Sequence, residues 1–447
     1  MSRNLAVIVL AAGQGTRMKS SLPKVLHEVC GVPMATYVLA AARGLNPAKM
    51  VVVVGHRAEL VRESLALEDI TFIAQRRQLG TADAVRQCRE ATGGASDVLV
   101  LNGDSPFITS GTLEMLAGSK GSAPLAFLSC LVPDSGGFGR VQRDGEGTVT
   151  GIIEQTGGRG ASFEAERNAG QYLFDGGWLW THIDQVGASP TGEFYLTDLA
   201  AMACAEGTPP VAIHAPAEEL MGFDDRIGLA EAEGLMRRRI LRTHMLNGVT
   251  ISDPATTYID AHVTIAQDVT LLPNTTLTGA TAVGSGCRIG PNAILRNARV
   301  GERVVIGPSV VEDSTIADGV RIGPFCHVRG NSTIGEACEL GNYAEVNRSR
   351  LGRGVKMHHF SYLGDATVGD NANIAAGVIT CNFDGVNKNP TVIGEGAFVG
   401  CDTMLVAPVE MGAGSQTGAG TVLRESLPPG MLAVGVPARI LRPRAGA

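Results

Sequence analysis

A six-residue repeat in the second half of the chain limits the possible fold more than any other feature. From about residue 250, aliphatic residues recur at spacings that are mostly six, with slips to five, eleven or sixteen, and most of them precede Gly or Ala. The repeating positions are Val283, Ile289, Val300, Ile306, Ile322, Ile334, Leu340, Leu351, Leu363, Val368, Ile374, Ile393, Val399, Leu405 and Met411. Three such hexapeptides form one triangular coil, with the aliphatic residue inside and the small residue at a tight corner. The second half is therefore predicted to be a parallel β-helix.

The repeat is interrupted between Ile374 and Ile393. The segment Thr380–Pro390 carries polar residues and a glycine where the period would place aliphatic ones. A loop that leaves a rigid scaffold commonly carries function. We expect this excursion to belong to a site.

Strand and helix signals alternate in the first half. Apolar runs at 5–10, 50–54 and 97–101 predict buried parallel strands, and helical patterns lie between them at about 33–43, 57–66 and 81–91. This order predicts a doubly wound, Rossmann-like α/β domain, whose ligands bind beyond the carboxyl ends of the strands. An amphipathic pattern from Arg226 to Leu246 predicts a connecting helix. We expect an α/β domain at 1–225, a helical arm at 226–247, the β-helix at 248–425 and a tail at 426–447.

A glycine-rich loop follows the first predicted strand. Residues 10–24 read LAAGQGTRMKSSLPK, which is not a Walker A motif. Such a loop turns several backbone N–H groups toward one anion, and Gly13 and Gly15 lack the Cβ that would block its approach. Arg17 and Lys24 add positive charge, so the loop predicts a triphosphate site.

Composition excludes several other functions. The chain has 37 Lys and Arg against 44 Asp and Glu, and its net charge of −7 argues against nucleic acid or an anionic membrane as partner. Its nine cysteines form no C-x-x-C pair, which suits free thiols in a reducing compartment. No signal-peptide pattern and no apolar run of membrane-spanning length occur. We expect a cytoplasmic protein.

These features together resemble one family, the bifunctional bacterial N-acetylglucosamine-1-phosphate uridyltransferases and glucosamine-1-phosphate N-acetyltransferases. The resemblance covers essentially the whole chain and implies that the β-helix is left-handed and assembles as a homotrimer. Besides the loop, the matching segments are 75–82 (QRRQLGTA), 137–140 (GFGR), 151–154 (GIIE), 193–198 (EFYLTD), 362–365 (YLGD) and 379–382 (ITCN).

The resemblance implies two reactions. The C-terminal domain would acetylate glucosamine 1-phosphate with acetyl-CoA. The N-terminal domain would then transfer UMP from UTP to N-acetylglucosamine 1-phosphate and release pyrophosphate. The product, UDP-N-acetylglucosamine, would feed peptidoglycan and lipopolysaccharide synthesis.

For the uridyltransferase site, the resemblance implies that Arg17 and Lys24 are catalytic cations. Asp104 and Asp224 match ligands of Mg²⁺, which suits few carboxylates together with substrate phosphates and waters. The positions that match contacts to UTP or UDP-N-acetylglucosamine are Leu10, Ala11, Ala12, Gly13, Lys24, Gln75, Gly80, Thr81, Gly139, Glu154, Asn168 and Asp224.

Three positions of this site depart from the family. Asn102 stands where an aromatic residue is usual, Asp83 where His is frequent, and Asp224 where the second metal ligand is Asn. A carboxylate ligates Mg²⁺ well, so we expect the change at Asp224 to strengthen binding.

For the acetyltransferase site, the resemblance implies that His359 is the general base. The amine of the sugar must lose a proton as it attacks the thioester, and histidine exchanges protons near neutral pH. Positions that match amino-sugar-phosphate contacts are Arg329, Asn347, Tyr362 and Asn373. Those that match acetyl-CoA contacts are Ala376, Asn382, Phe383, Cys401, Ala419 and Arg439.

The departures here bear on substrate affinity. Asn347 replaces a Lys that would be the second phosphate cation, and the adjacent Arg348 is expected to face the opposite side of its strand. Further replacements occur at His358, Phe383, Cys401 and Gly435, with Arg439 as a substitute cation for the last. We expect an acetyltransferase with weakened affinity for its amino sugar phosphate.

Two other functions stay open at this point. The chain could be a nucleotidyltransferase whose β-helix only trimerises or regulates it, or the β-helix could be a non-enzymatic assembly scaffold. Binding of acetyl-CoA would separate both from the bifunctional enzyme.

Overall fold

The computed structural model describes residues 4–66, 68–133, 139–154 and 164–443. The chain divides into two compact units, Met1–Gly234 and Leu235–Ala447. The division falls inside the segment predicted as a connecting helix, while the bounds of the four predicted segments stay a prediction.

The first unit is built on a mixed nine-stranded sheet. Four neighbouring strands, in the order β6-β1-β4-β5, are parallel, whereas β10 is antiparallel to β6 and to β7. The sheet consists of β1 (Leu5–Ala11), β4 (Lys49–Val54), β5 (Ile70–Ala74), β6 (Asp97–Asn102), β7 (Leu125–Pro133), β8 (Arg140–Arg143), β9 (Val149–Ile153), β10 (Glu164–Asp175) and β11 (Val211–His214). The short strands β2 (Glu28–Val29) and β3 (Val32–Pro33) form a separate antiparallel pair. The runs at 5–10, 50–54 and 97–101 are thus the parallel strands that the sequence predicts.

Both faces of this sheet are covered, as a doubly wound fold requires. Alternate residues of β1 belong to different cores, with Val7 and Val9 in one and Ala6 and Ile8 in the other. The helices are α1 (Met34–Arg43), α2 (Ala58–Ser64), α3 (Thr81–Arg86), α4 (Arg89–Thr92), α5 (Ser110–Ser119), α6 (Gly176–His182), α7 (Asp198–Ala205) and α8 (Ala217–Leu220), with 3-10 turns at Thr16–Met18, Lys24–Leu26 and Ile183–Gln185. The helix α9 (Arg226–Leu246) begins in the first unit and ends in the second. No helix in the described ranges is both long enough and apolar enough to span a bilayer.

The second unit is a parallel β-helix with three faces, each a sheet of short stacked strands. The first face has Thr250–Ile251, Thr270–Leu271, Arg288–Ile289, Val305–Ile306, Arg321–Ile322, Glu339–Leu340, Lys356–Met357, Asn373–Ile374, Phe398–Val399, Gln416–Thr417, Met431–Val434 and Arg439–Pro443. The second face has Tyr258–Ile259, Thr276–Thr278, Ile294–Arg296, Val310–Glu312, His327–Arg329, Ala344–Asn347, Ser361–Gly364, Ile379–Cys381, Met404–Val406 and Val422–Leu423. The third face has Thr264–Ile265, Ala282–Val283, Arg299–Val300, Thr315–Ile316, Thr333–Ile334, Arg350–Leu351, Ala366–Val368, Thr391–Ile393 and Val409–Met411.

The six-residue repeat accounts for this architecture. Every aliphatic position of the predicted repeat is buried in one continuous core along the β-helix. All strands stack in parallel except the last pair, Met431–Val434 and Arg439–Pro443, which is antiparallel. The prediction of a parallel β-helix from the hexapeptide period is confirmed.

The predicted excursion leaves the coil after Cys381. Phe383 and Lys388 form an isolated antiparallel bridge, and the Lys388 ammonium lies 4.5 Å from the centre of the Phe383 ring. On the third face Val368 pairs with Ile393 across the excursion, just as Leu351 pairs with Val368 one coil earlier. The extra residues therefore bulge outward without disturbing the stacking.

Candidate active sites

The glycine-rich loop joins β1 to the turn at Thr16–Met18. Gly15 has φ of +60°, and a Cβ there would lie 2.7 Å from Lys24 Cβ. A Cβ at Gly13 would meet no atom within 4 Å. Gly15 is therefore required by the turn itself, whereas the space beside Gly13 is open to a ligand.

Lys24 lies between two carboxylates at the carboxyl end of the sheet. Its Nζ hydrogen-bonds to Asp104, which follows β6, and to Asp224. The Arg17 guanidinium is 2.7 Å from Asp224. Burial lowers the pKa of Lys24, but the charge of Asp104 and the bonds to both carboxylates outweigh it and raise the pKa overall. Lys24 is thus held as a cation between acidic partners.

A first cavity of about 440 Å³ opens on this charged cluster. One wall is the segment 75–81, in which Gly80 has φ of +101° and its absent Cβ would lie 2.4 Å from Phe194 O. The Thr81 hydroxyl accepts a hydrogen bond of 3.0 Å from Leu196 N. The predicted nucleotide contacts that line this cavity are Leu10, Ala11, Ala12, Gly13, Lys24, Gln75, Gly80, Thr81 and Asp224, and they are joined by Gln78.

A second cavity of about 450 Å³ adjoins the first. It contains the predicted sugar contacts Gly139, Glu154 and Asn168. Thr197 Oγ1 donates to Glu154 over 3.1 Å, and Asn168 Nδ2 donates to the buried Tyr172 hydroxyl over 2.6 Å. Burial raises the pKa of Glu154, as do the nearby Asp198 and Glu193, against the opposing bond from Thr197. Of the motif at 137–140, residues 137 and 138 lie outside the described residues.

The two cavities share one strip of lining, which contains both carboxylates and one of the two cations. The shared residues are Leu10, Arg17, Thr81, Asn102, Asp104, Tyr195 and Asp224. A molecule in each cavity would meet a second molecule at Asp104 and Asp224. This arrangement suits transfer of a charged group between two ligands.

The donor set at this junction fits Mg²⁺. Both carboxylates bond to one Lys24 Nζ, so their oxygens converge within reach of a single small cation. In the described ranges, no three His, Cys, Asp or Glu side chains are grouped as a self-sufficient metal site. An ion that takes two carboxylates and completes its shell with phosphate oxygens and water matches these facts.

In the β-helix, the predicted acetyl-CoA positions stack above His359. Gly377 N donates to Phe360 O, Asp402 N to Ala376 O, and Gly420 N to Cys401 O, each over 2.7–2.8 Å. The strands just before these bonds pair Lys356 with Asn373, Asn373 with Phe398, and Phe398 with Gln416. Three residues further on, His359, Ala376, Cys401 and Ala419 therefore take matching positions on successive coils. His359 is exposed, and none of the residues that the structure describes hydrogen-bonds to its ring.

A second group of predicted residues lies on the second face nearby. Arg329, Asn347 and Gly364 occupy one row of successive coils, and Tyr362 stacks on Glu345 in the next row. Arg329 bonds to Glu345 over 2.6 Å. The excursion brings Asn382 to this group, where its Nδ2 donates to Asp365.

Arg348 differs from expectation, because its side chain does not face away. Its guanidinium is 3.2 Å from Asn347 Oδ1 and bonds to Asp365 over 2.7 and 3.0 Å. Arg348 sits at a coil corner with φ of +49°, so the alternation of side chains along a strand does not apply to it. A cation therefore stands beside the position where the Lys is missing.

The remaining acetyl-site positions are less closely grouped. Asn373 is exposed on the first face and pairs with Lys356 and Phe398, and Phe383 is exposed on the excursion. Arg439 is exposed in the final antiparallel strand pair. His358, beside the predicted base, bonds to Glu339 over 2.9 Å.

Sequence reasoning missed several residues at these sites. Tyr195 lines both cavities and Thr197 fixes Glu154, although both stand in the quoted 193–198 segment. Asp365 connects Arg348 to Asn382 and stands in the quoted 362–365 segment. The segments marked the right stretches, but which side chain turns inward depends on loop geometry.

Comparison with known proteins agrees with both units. A model of the MobA-like NTP transferase domain matches residues 7–134, and a model of the bacterial transferase hexapeptide, with six repeats, matches residues 313–348. The bifunctional protein GlmU of Anaeromyxobacter sp. (strain Fw109-5) is 45% identical over 96% of this chain and 90% of its own length. GlmU proteins of Geobacillus thermodenitrificans (strain NG80-2) and Pelobacter propionicus are each 43% identical over 96% of this chain and over 94% and 95% of their own lengths.

The chain belongs to the GlmU family. The alignments run through both units, so the likeness includes the α/β unit and the β-helix alike. The family that the motifs indicated is confirmed, and with it the two-part fold and a bifunctional transferase. A nucleotidyltransferase alone would not account for the likeness of the β-helix unit to GlmU proteins.

Proposed function

We propose that this GlmU-family chain makes UDP-N-acetylglucosamine in two steps. In the β-helix unit, acetyl passes from acetyl-CoA to the amine of glucosamine 1-phosphate. In the α/β unit, UMP passes from UTP to N-acetylglucosamine 1-phosphate. CoA and pyrophosphate are the by-products, and the nucleotide sugar is a precursor of peptidoglycan and lipopolysaccharide.

The junction of the two cavities carries the proposal for the α/β unit. UTP would occupy the first cavity, with its base along Gln75, Gly80 and Thr81 and its phosphates at the glycine loop. The sugar 1-phosphate would occupy the second cavity beside Glu154 and Asn168. A phosphate oxygen of the sugar attacks the α-phosphorus, the bond from that phosphorus to the bridging oxygen breaks, and pyrophosphate leaves.

Lys24 and Arg17 act by charge in this step. Negative charge concentrates on the phosphates as two anions are brought together, and preplaced cations stabilise it. Asp104 and Asp224 would hold Mg²⁺, which supplies further neutralisation of the phosphates when bound. The bonds that now join Lys24 to these carboxylates support its placement at the point of transfer.

His359 is the proposed base of the acetyltransferase. Its free ring would take the proton from the attacking amine, the nitrogen would bond to the thioester carbonyl carbon, and the sulfur would leave with CoA. Arg329, Tyr362, Asn347 and Asn373 would hold the sugar phosphate. The column of Ala376, Cys401 and Ala419, with Asn382, Phe383 and Arg439, would form the coenzyme wall.

We propose a homotrimer because this second site has few walls of its own. His359 stands exposed on a convex corner, and Phe325, Tyr343 and Phe360 are exposed beside it, with 56–62% of their surface accessible. Phe325 and Tyr343 stack at 5.2 Å on successive coils. Exposed aromatic columns favour contact with another copy, whose β-helix would close the groove.

The cytoplasm is the proposed location. Within the described residues no disulfide joins any of the nine cysteines, and most of them are buried, which suits a reducing compartment. UTP and acetyl-CoA, the co-substrates implied by the family, are available there.

Two single variants in the full chain test the assignment of the two sites. Lys24→Ala should lower pyrophosphate release from UTP and N-acetylglucosamine 1-phosphate about 10²–10³-fold and leave CoA release unchanged. His359→Ala should lower CoA release from acetyl-CoA and glucosamine 1-phosphate about 10²–10⁴-fold and leave pyrophosphate release unchanged. In each variant, the activity that is kept comes from the other unit and controls for protein concentration. Absence of CoA release in the unmodified chain would contradict the acetyltransferase.

A further inference from the structure

Asp83 is a buried carboxylate that the proposed reaction leaves without a role. It lies on the first turn of α3, beside the cavity that would take the nucleotide base, and only 8% of its surface is exposed. Its Oδ2 accepts a hydrogen bond of 2.8 Å from Gln75 Nε2, and its Oδ1 accepts one of 3.3 Å from Gln87 Nε2. Each oxygen of Asp83 thus faces an amide NH₂ group and accepts from it.

The second hydrogen of the Gln75 amide is also engaged. Gln75 Nε2 donates to Gly80 O over 3.1 Å, and a backbone carbonyl is likewise an acceptor only. Because both neighbours can only accept, the nitrogen end of the amide must face them. The orientation of the Gln75 amide therefore follows from the chemistry of its partners and not from the similar shapes of its two ends.

This leaves one polar atom of Gln75 for a ligand. Its Oε1 accepts no hydrogen bond from any residue that the structure describes, and it is not one of the buried unpaired atoms. Gln75 lines the first cavity together with Gln78, Gly80 and Thr81. The side chain thus offers the cavity an acceptor and no donor.

Uracil and cytosine interact differently with a hydrogen-bond acceptor. Along its pairing edge uracil has an N–H donor between two carbonyls, whereas cytosine has a bare ring nitrogen between a carbonyl and an amino group. An acceptor placed at the middle of this edge bonds to uracil and opposes the lone pair of cytosine. A site built to pair with an N–H strongly rejects an analogue that lacks it.

We propose that Asp83 is a positioning residue for base selection, because its carboxylate holds the Gln75 amide with the carbonyl oxygen toward the base and so favours UTP over CTP. This rests on the proposed uridyltransferase reaction. Asp83 itself lines neither cavity, so its effect passes through Gln75.

Asp83→Asn tests the proposal with little change of shape. An asparagine can turn its NH₂ toward Gln75, so that only the longer bond to Gly80 O then opposes reversal of the Gln75 amide. The reversed amide offers the base a donor that suits cytosine. The ratio of kcat/KM for UTP to that for CTP, measured by pyrophosphate release in the full chain, should fall about tenfold or more. A purely structural role would lower both values together and keep their ratio.

Two further variants isolate the contact. Gln87→Ala removes the other partner of Asp83 and should leave the UTP to CTP ratio within about twofold of the unmodified chain. In a Gln75→Ala background, Asp83→Asn should have no further effect on the ratio, because the amide through which it acts is gone.

The outcomes separate this inference from the proposed function. An unchanged ratio in Asp83→Asn, or an equal fall of the ratio with and without Gln75, would overturn the role of Asp83. Absence of pyrophosphate release with UTP in the unmodified chain would instead contradict the uridyltransferase itself. Pyrophosphate release with UTP in each variant reports that the α/β unit is folded, and CoA release serves as a control for protein concentration.

Discussion

The two proposed sites of this chain are built in opposite ways. In the α/β unit, residues from β1, β6, β10 and several loops surround two cavities, and charged groups already pair with one another across the junction. In the β-helix unit, most of the predicted residues stand in rows on outer faces, Asn347 and Asn382 are buried beside them, and His359 is exposed. The strand ends of an α/β sheet make a concave site from one chain, whereas a regular coil presents a flat surface.

This difference predicts different sensitivities. The first site should depend on its ion and its charges, and the second on what lies against its surface. The following experiments either sharpen this contrast or break it.

Removal of divalent cations should have the largest effect. With EDTA in excess, pyrophosphate release should fall at least about 10³-fold, because Asp104, Asp224 and the phosphates would face one another without neutralisation. CoA release should continue unchanged, since the β-helix site needs no metal in the proposed mechanism. Added Mg²⁺ should restore the first activity, and loss of both activities would contradict the contrast.

Disruption of the exposed aromatic column formed by Phe325, Tyr343 and Phe360 should affect the second site alone. In the double variant Tyr343→Asp and Phe360→Asp, light scattering should give a mass near the 46.5 kDa of one chain. CoA release should fall about 10²-fold, because groups that close the groove would be misplaced. Pyrophosphate release should stay within about twofold. Full CoA release from a monomer would mean that one chain completes the site.

A lysine at position 347 tests the missing phosphate cation. Asn347→Lys should lower the KM for glucosamine 1-phosphate about tenfold, since a charge-assisted bond to phosphate contributes about 1.5–3 kcal/mol. Asn347→Met, which adds length without charge, should not. If the lysine brings no gain, the Arg348 guanidinium beside Asn347 already supplies the charge.

The smallest effect is expected for Glu154→Gln, as a change of the unfolding temperature that depends on pH. Burial raises the pKa of Glu154, so the folded state binds its proton more readily than the unfolded state does. A group of this kind favours the folded state at low pH and loses that contribution as pH rises through its folded pKa. At pH 8 the uncharged variant should therefore unfold about 1–3 °C higher than the unmodified chain.

The gain should shrink as pH falls toward the ordinary carboxyl value of 4.5. Glu146→Gln, at an exposed turn, is the matched control and should not shift unfolding. A gain that persists at acid pH would mean that burial of the charge is not its cause. The affinity of Glu154→Gln for N-acetylglucosamine 1-phosphate should fall. Such a fall would mean that the carboxylate contributes to substrate binding at a cost in stability.

The sequence pattern predicts more of the structure of the β-helix than of the α/β unit. Each coil repeats the same local rule, so Ile289, Leu363 and Val399 could each be placed in the core from spacing alone. The parallel strands of the first unit were also predicted, but the antiparallel β10 and the β8–β9 pair were not, because long-range pairing leaves no local period.

Site geometry was less accessible for a similar reason. Nothing in the segment 75–82 says that Asp83 reaches back to Gln75, since the contact depends on the turn at Gly80. Arg348 was placed on the wrong side because a strand rule was applied to a corner. Motifs located both sites, and the directions of single side chains required the structure.

The excursion that leaves the coil after Cys381 has a consequence for the loop lengths that this β-helix can tolerate. Leu351 meets Val368 seventeen positions on, and Val368 meets Ile393 twenty-five on, yet each pair stacks in the same way. The stacking of the coils is thus independent of how many residues leave the β-helix at this corner. A foreign sequence could be inserted between Phe383 and Lys388 and displayed beside the proposed acetyltransferase site while the pairing of the coils stayed the same.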